Sequence, residues 1–501
     1  MEIAIEKLID VGARVASVVC DCPQVQLSMM RKLGANLDVD SINTVICANI
    51  KSSPIHIIHD MCHCIKNVRN SWAYHKVLKN SEGKLIEWAY IEKLVNLQSI
   101  EELHSANKLT HRHVNFKNQI MKVKLATQVL SRSVGKSLRF CRDILKLPEF
   151  AGSEATEEFC YIMNDIFDLL NSRFPTGTHM KAPLTVDNEH IWNEVFEKTK
   201  KYILGLKTSL DTNICKSDSR KTAFVGIICN IEAVKCIFFE SVAKGHMSSL
   251  LTHKLSQDHL EHFFGLVRAR FGANNNPTPL QFKHTYRRLL LGVTNNIVHN
   301  ANVLAQDSCE IVALIPSVED KIDYVYNKYD LDDNDLDNVL SSTLSEYSLN
   351  VIEYISGFVV RQVSCKLSCR ECTESLNTGQ SVNNSLTKIR DFGNLLMYPS
   401  DFVKKISEIS EKILKVELSG NSWLSKKYFF DFIVMKICNS FVSFHGDILK
   451  TMDNHCYELT KKIVSCYVTI RLKYHAKSYN DKHKKTRLRS KLSKIILHNN
   501  Q

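Results

Sequence analysis

The chain has 501 residues, of which 44% are hydrophobic. That is enough for two to four domains with buried cores, and it argues against a mainly disordered chain. Lysine and arginine exceed aspartate and glutamate by 65 − 53 = 12, which favours a polyanionic partner. The first residues, MEIAIEKLIDVGARV, are typical of an amphipathic helix rather than a signal peptide, and no apolar run approaches the ~20 residues that span a bilayer. The 17 cysteines are therefore expected to be reduced, in the cytosol or the nucleus.

Strands and helices alternate at the start of the chain. A helix over residues 2–14 is followed by VASVVCD, a β-branched run that predicts a strand ending at Asp21. QVQLSMMRKLG predicts a helix that closes at Gly34. SPIHIIHD predicts a strand that ends at Asp60, and MCHCIKNVRNSWAYHKVL predicts a helix after it. This alternation indicates an α/β unit with a parallel component over residues 1–88.

The pattern then becomes helical and stays so. Residues 89–250 show helical periodicity almost throughout, with NQIMKVKLATQVLSRSVGKSLRFCRDIL and SEATEEFCYIMNDIFDLLNSR as the clearest stretches, the second opened by Ser153 as an N-cap. An all-α insertion explains this length. The α/β core is expected to resume over residues 251–300. An acidic linker over 301–344 leads to a helical C-terminal domain with a basic tail over 345–501.

Two acids have side chains suited to holding metal ions. Asp60 ends a strand, and Glu261 lies 261 − 60 = 201 residues later on a helix. RNase H-like folds hold two Mg²⁺ ions with acids so placed, although helix caps and surface charges are the commoner roles of such residues. Cys369 and Cys372 have zinc-ligand spacing, with Cys365 one turn earlier. No second pair is evident, so zinc is not expected there.

Several blocks of the chain resemble one family. LSQDHLEHFFGLVRARFGANNNPTPLQFK is similar to the Q-D-x-x-E-x-F-F, R-x-R-x-G and N-P-T-x-x-Q-F signature of P-element-type transposases and their THAP-domain relatives. IHDMCHCIKNVRN resembles the D-x-x-H-x-x-K-N-x-R-N block of that family, and further similar blocks follow in the same order, from about residue 10 to the C-terminus. The resemblance implies an incomplete RNase H-like core, interrupted by a helical GTP-binding-type insertion and followed by a helical C-terminal domain.

The resemblance also implies roles for the acids. Asp60 and Glu261 match the second and third catalytic carboxylates that bind Mg²⁺, whereas Asp21 falls outside the catalytic three. His63, in the same block as Asp60, is expected to be structural or close to DNA rather than a ligand. The first catalytic aspartate is expected upstream of Met1, so we expect an N-terminally truncated chain with impaired catalysis. The alternatives are an active Mg²⁺-dependent transposase whose first aspartate is supplied upstream, and a decayed transposon fragment.

The nucleotide site implied by the resemblance lies mainly in the insertion. Asp168 and Asn171, three residues apart, would read the edge of guanine, and a carboxylate can accept hydrogen bonds from its N–H groups. Lys108 matches a family lysine near the nucleotide. Asp258, one turn before Glu261, is expected to face the insertion or the nucleotide. A solvated helix face is the alternative explanation for these residues.

DNA contacts are expected in two places. Arg268 and Arg270 would bind phosphates, while Phe263 and Phe264 beside them are expected in the core. The basic tail would neutralise phosphates without reading sequence or, alternatively, act as a nuclear-import signal or a solvated helix; its candidates are Lys484, Lys485, Arg487 and Arg489. The expected partners are thus DNA and GTP, and self-association is also allowed. No membrane partner is expected, and the expected location is the nucleus.

Overall fold

A computed structural model describes residues 1–21, 24–46, 54–106, 108–269, 277–291, 339, 341–377, 385–391, 396–419, 429–449 and 455–482. These residues form two compact units. The first takes in residues 1–100 with 106–311, and the second 101–105 with 312–501. Most of the linker predicted over 301–344 lies outside the described residues, as do the DNA-contact candidates Arg270, Lys484, Lys485, Arg487 and Arg489.

The first unit begins with a small mixed sheet. The central strand, β3, pairs in parallel with β1 on one side and antiparallel with β2 on the other, which confirms the predicted parallel component. All five residues of β3 are buried, as expected for a strand covered on both faces. The elements are α1 Glu2–Asp10, β1 Ser17–Cys20, α2 Gln24–Lys32, β2 Val45–Ile46, β3 Ile55–His59 and α3 Met61–His75.

A second, antiparallel sheet begins where the last residues of the helix after Asp60 were predicted. Lys76 adopts φ 62°, so α3 ends there and the predicted continuation through KVL becomes a strand. Asn80 Oδ1 then accepts from the amides of Glu82 and Lys84, and Gly83 takes φ 78°, which closes a hairpin. The sheet has the order β5-β4-β6 and consists of β4 Val77–Lys79, β5 Leu85–Glu87 and β6 Lys207–Thr208. Only the two residues of β6 fall within 89–250, the range predicted as an all-α insertion, and they are the exception to that prediction among these strands.

The rest of the first unit is helical. Its helices are α4 Ala89–Ile100, α5 His111–Val114, α6 Val123–Val129, α7 Arg132–Arg139, α8 Glu154–Leu170, α9 Glu189–Gly205, α10 Thr222–Phe238, α11 Asp258–Ala269 and α12 Pro279–Leu291. The stretch of helical periodicity over 118–145 does not form one helix: it breaks at Leu130, and Ser131 caps a new helix by accepting from the amide of Val134. Ser153 is the N-cap residue of α8, but its hydroxyl accepts from Arg142 and makes no cap hydrogen bond.

Helix α10 is the core helix of this unit and packs against β3 and α3. Its side chain Asn230 accepts from the amide of His59 at 2.7 Å and donates to the carbonyl of His59 at 2.6 Å. Gly226 permits this approach, because a Cβ there would lie 3.1 Å from Cys64 Sγ and 3.2 Å from His59 Cγ. Asn230 thus binds both backbone polar groups of His59, the last residue of β3.

Residues Thr222–Ala243, which include α10, correct one expectation from the sequence. They are long and apolar enough to cross a bilayer, with mean hydropathy 1.7, although we expected no such stretch. The segment is 72% buried inside the protein, as a core helix is. Burial against β3 and α3, rather than lipid, accounts for its apolar composition.

The second unit is helical where the structure describes it, with α13 Glu346–Ser364, α14 Arg370–Leu376, α15 Leu386–Arg390, α16 Asp401–Leu418, α17 Phe429–Leu449 and α18 His455–Lys482. Helices α13, α16 and α18 pack on one another. Between them lies Glu411, which receives two hydrogen bonds from Arg471 at 2.6 and 2.7 Å and one from Tyr467 at 2.8 Å. All three side chains are buried, so this charge is fully paired within the helical core.

Candidate metal centre at the ends of two parallel strands

Two aspartates meet at one edge of the first sheet. Cys20 of β1 pairs in register with His59 of β3, so the residues that follow, Asp21 and Asp60, leave neighbouring parallel strands side by side. Ligand atoms of Asp21, Asp60 and His63 all lie within 4.8 Å of one another. Carboxyl ends of parallel strands are a common place for sites in α/β proteins.

Asp60 is buried, with 2% exposure, and already has hydrogen-bond donors on both oxygens. Oδ1 accepts from the amides of Cys62 at 2.8 Å and His63 at 3.4 Å, which caps the N-terminus of α3. Oδ2 accepts from the amide of Gln257 at 3.0 Å, just before α11. The side chain therefore joins the start of α3 to the start of the helix that carries Glu261.

His63 lies between the two more exposed acids. Its Nδ1 is 2.9 Å from Asp21 Oδ1, and its Nε2 is 3.6 Å from Glu261 Oε1. The contact with Glu261 raises the pKa of His63, and the same contact lowers the pKa of Glu261. Burial raises the pKa of Asp21, which is partly offset by His63. The sequence pattern alone places neither Asp21 nor His63 in a metal site.

The arrangement fits a divalent cation that prefers oxygen ligands. Asp21 Oδ1 faces His63 Nδ1 at 2.9 Å, so a bound ion would share or replace this contact. The side chains of Asp21 and Glu261 are 41% and 34% exposed, so an ion could reach both. Mg²⁺ binds through one or two carboxylates and keeps several waters, which suits this set. Elsewhere in the described chain, Cys369 and Cys372 have no third ligand close enough to complete a zinc site.

Asp258 connects this centre to the insertion. It is the first residue of α11, is buried, and pairs with Arg173 at 3.0 Å. Burial raises the pKa of Asp258, and Arg173 acts in the opposite direction. The structure thus places Asp258 towards the insertion, one of the two expectations for it. Arg173 had not been singled out in the sequence.

The end of α8 carries the predicted guanine-reading pair. Asp168 Oδ2 accepts from Asn164 Nδ2 at 3.0 Å, and burial raises the pKa of Asp168. Asn171 is the C-cap residue of α8, and its Oδ1 is buried with no hydrogen-bond partner among the described residues. Lys108 is exposed in the turn before α5. Thr252 Oγ1 donates to the carbonyl of Leu169 at 2.6 Å, which ties the end of α8 to the segment leading into α11.

The aromatic residues after Glu261 do not all lie in the core. Phe264 is 42% exposed and stacks on Phe282 of α12, with ring centroids 6.3 Å apart, so its predicted burial is wrong. Phe263 is half-buried and makes an edge contact with Tyr286. Arg268 is half-buried near the end of α11. A helix face that points partly to solvent at this position was not evident from the Phe-Phe pair alone.

Three family models match the chain and define its class. Residues 62–183 match the TNP-like, GTP-binding insertion domain, and residues 253–287 match the TNP-like, RNase H C-terminal domain. Residues 343–477 match the C-terminal domain of DNA transposase THAP9. The chain therefore carries an RNase H-like C-terminal region after a GTP-binding-type insertion, as transposase-like proteins do. The insertion match starts within the range predicted as core, 1–88.

Two curated relatives make the relationship specific. The chain is 26% identical to DNA transposase THAP9 of Homo sapiens over 94% of its own length and 55% of that protein. It is 28% identical to the Transposable element P transposase of Drosophila melanogaster over 62% of its own length and 41% of that protein. The chain is homologous to these P-element/THAP-type transposases and spans about half of their length.

One solved structure agrees with the sequence matches. A chain of the Drosophila P element transposase strand transfer complex has a TM-score of 0.50 and 27% identity to this chain. The match covers 57% of this chain and 62% of that chain. The resemblance stated from the sequence motifs is thereby confirmed at the level of family and of RNase H-like and GTP-binding-type regions.

Proposed function

We propose that this chain associates with DNA and binds a divalent cation, Mg²⁺ in the cell, at the cluster formed by Asp21, Asp60 and Glu261. The observation that carries the proposal is the meeting of Asp21 and Asp60 at the ends of parallel strands, with Glu261 on the adjacent helix and linked to Asp21 through His63. One relative is named a DNA transposase and the other a P transposase, and the similar solved structure is a P element transposase strand transfer complex. Such a protein would act in the nucleus.

A bound cation would stabilise the negative charge that develops when a phosphodiester is attacked. Asp21 and Glu261 would bind it directly, because both side chains are partly exposed, once His63 moves out from between them. Asp60 would hold α3 and the start of α11 in position and add negative charge beside the ion. The sequence-based assignment of Asp60 and Glu261 as catalytic residues stays a prediction, to which the geometry adds Asp21.

We further propose that DNA cleavage by this chain alone is weak. Both oxygens of Asp60 are occupied by backbone amides, and His63 contacts both of the accessible carboxylates. Two-metal phosphoryl transfer needs several carboxylate oxygens about two ions roughly 3.5–4 Å apart. The described cluster offers two accessible carboxylates, which suits one ion better than two.

Calorimetry with Mg²⁺ and Mn²⁺, beside a nicking assay on supercoiled DNA, tests this function. Asp21→Asn and Glu261→Gln should each weaken cation binding about tenfold, since each removes a charged ligand. Asp211→Asn is the matched control, because Asp211 is an exposed acid paired with Lys79 outside the cluster. Equal cation affinity in all three variants would rule out the centre. Rapid Mg²⁺-dependent nicking by the unaltered chain would contradict weak cleavage.

We also propose that the insertion binds GTP. The buried Oδ1 of Asn171 has no hydrogen-bond partner among the described residues, and Asp168 lies one turn earlier on the same helix end. An ionised carboxylate accepts from two guanine N–H donors, and an amide oxygen can accept from another donor. Lys108 would approach the phosphates, and Asp258 would sense the occupied site through Arg173. The family model named for GTP binding spans 62–183 and so includes Lys108, Asp168 and Asn171.

Titration with GTP and with ATP in the presence of Mg²⁺ tests the nucleotide proposal. The unaltered chain should bind GTP and reject ATP, and Asp168→Ala should lose the preference because the guanine contact is gone. Glu194→Gln, an exposed acid on α9, should behave as the unaltered chain. A folded chain that binds neither nucleotide, or both equally, would refute guanine recognition and leave the metal proposal untouched.

DNA affinity that does not fall with salt would contradict phosphate contact.

A further inference from the structure

Two cysteines meet at the start of α14 in the second unit. Cys369 is the N-cap residue of this helix, and Cys372 lies in its first turn. The amide of Thr373 donates to the carbonyl of Cys369 at 3.2 Å, which closes a helical turn over the pair. Residues three apart on such a turn have Cα atoms about 5 Å apart, within the range of about 4.4–6.8 Å found in disulfides. The backbone therefore allows a bond between the two sulfurs.

The side chains of the two cysteines are already in contact. The thiol of Cys372 hydrogen-bonds with that of Cys369. Burial raises the pKa of Cys372, so this thiol keeps its proton and donates it to the sulfur of Cys369. A donor beside a sulfur favours its thiolate form, and the thiolate is the nucleophile. Cys369 is thus the better attacking group of the two.

The two cysteines also differ in exposure. Cys369 is half-buried, so a small reagent in solution can reach it. Cys372 is 6% exposed, so the adjoining sulfur of Cys369 is its accessible reaction partner. By contrast, Cys62 and Cys64, which are also close in sequence, are both buried away from solvent. An accessible thiol in contact with a second, resolving thiol is typical of cysteine pairs that oxidise reversibly.

We propose that Cys369 and Cys372 form a reversible disulfide by exchange with a low-molecular-weight disulfide. The Cys369 thiolate attacks one sulfur of that disulfide, its S–S bond breaks, and the thiolate that leaves takes up the proton lost by Cys369. The sulfur of Cys372 then attacks the sulfur of Cys369 and expels the second thiolate, which takes up the proton of Cys372. The small disulfide is reduced to two thiols, and the protein loses two electrons and two protons.

A zinc site is the competing use of these cysteines. Within the part of the chain that the structure describes, no third histidine, cysteine or acid lies close enough to complete one. A disulfide needs only the two sulfurs, and in a reducing compartment such a bond is transient. The bond would close the first turn of α14 covalently, where this helix packs on α13, α16 and α18.

Oxidised glutathione, added to the full chain, tests the proposal by mass spectrometry of tryptic peptides after the remaining thiols are alkylated. Trypsin cleaves after Lys366 and after Arg370, so Cys365, Cys369 and Cys372 fall on three different peptides. The peptides of Cys369 and Cys372 should be joined by a disulfide, and dithiothreitol should separate them again.

Variants assign a role to each sulfur. Cys372→Ser should stop at the mixed disulfide of glutathione with Cys369, and Cys372→Ala should stop at the same step, so a folding defect of one variant does not decide the result. Cys369→Ser should leave Cys372 as a thiol, because its attacking partner is gone. Cys365→Ser, at an exposed cysteine one turn earlier, is the matched control and should form the bond as the unaltered chain does.

Three results would overturn the proposal. One is a chain that carries glutathione on exposed cysteines but no bond between Cys369 and Cys372. Another is a disulfide from Cys365 to either of them. The third is zinc that is bound by the purified chain and lost in both Cys369→Ser and Cys372→Ser, which would assign the pair to a metal instead. These readouts involve no Mg²⁺, DNA or GTP, so they are independent of the proposed function.

Discussion

The charged clusters of the two units differ in how completely their charges are paired. In the second unit, Glu411 receives hydrogen bonds from Arg471 and Tyr467, and the group is sealed from solvent. In the first unit, Asp21 and Glu261 share the single imidazole of His63, and both carboxylates stay partly exposed. A fully paired buried charge stabilises a fold, whereas acceptors left open in a partly accessible cluster are suited to a ligand.

The largest expected loss of stability follows from a change at Glu411, the buried acid paired with Arg471. Glu411→Ala would leave Arg471 buried without its counter-charge, which costs roughly 3–5 kcal/mol of unfolding free energy. Denaturant unfolding of the purified chain measures this. Glu374→Ala, at an exposed pair with Arg370, is the control and should cost less than about 1 kcal/mol. A loss at Glu411 no larger than at Glu374 would show that the pairing is not structural.

The next effect concerns His59, a buried histidine whose Nδ1 has no hydrogen-bond partner among the described residues. Burial lowers the pKa of His59 to about 4, below its ordinary value of 6.5. The unfolded chain therefore binds the proton first, so stability is complete above pH 6.5 and falls as the pH drops towards 4, by roughly 3 kcal/mol at most. His56, whose pKa burial also lowers, adds a loss of the same sign.

Unfolding free energies measured from pH 7 to pH 4.5 test this. His59→Gln should reduce the loss of stability across that range without abolishing it, because His56 still titrates. Glutamine keeps a polar side chain at the position, so the comparison uses the pH dependence and not the absolute stability. An unchanged slope in the variant would mean that His59 takes up its proton at the same pH in the folded and the unfolded chain.

Two variants of Asp60 separate the effect of its hydrogen bonds on stability from the effect of its charge. Asp60→Ala removes the cap of α3 and the acceptor of the Gln257 amide, at a cost of about 2 kcal/mol. Asp60→Asn retains an amide oxygen for the cap but sets its NH2 group against the amide of Gln257, so it should cost about 1 kcal/mol, less than Asp60→Ala. Thermal unfolding of both variants measures the difference. Equal destabilisation would show that the charge of Asp60, rather than its hydrogen bonds, supports the fold.

The smallest effect on stability is expected at Asp21. Asp21→Asn removes an acid whose pKa burial raises, so the unfolding free energy without added metal should change by less than about 0.5 kcal/mol. The stabilisation by added Mg²⁺ should disappear in the same variant, since a ligand that binds the folded state raises stability by mass action. A large loss of stability without metal would place Asp21 among the structural charges.

Much of the first sheet could be predicted from the sequence. β1, α2, β3 and α3 follow from β-branched runs, turn residues and helical periodicity, and Gly34 does adopt φ 110° after α2. Family-level resemblance gave the RNase H-like and GTP-binding-type regions because the motifs are specific in type and order. Local chemistry and motif spacing carry this information directly.

The composition of the site was harder to predict, because it depends on pairing between distant segments. That Asp21 would join Asp60 follows only from the parallel register of β1 and β3, which the sequence does not specify. Two strands ending in Asp were the signal available. The hairpin after α3 was missed because Lys76 takes a left-handed conformation that few non-glycine residues adopt. Arg173 pairs with Asp258 across 85 residues, beyond any local pattern.

The bond between Asn230 and the end of β3 has a consequence for synthesis. The two partners are 171 residues apart, so His59 leaves the ribosome long before the side chain that satisfies its backbone. At rates of about 5–20 residues per second, the delay is roughly 10–30 s. During that interval the nascent strand exposes polar edges and apolar faces to other chains. Cotranslational chaperone binding to the first sixty residues is thus the expected cost of placing so long an insertion inside the core.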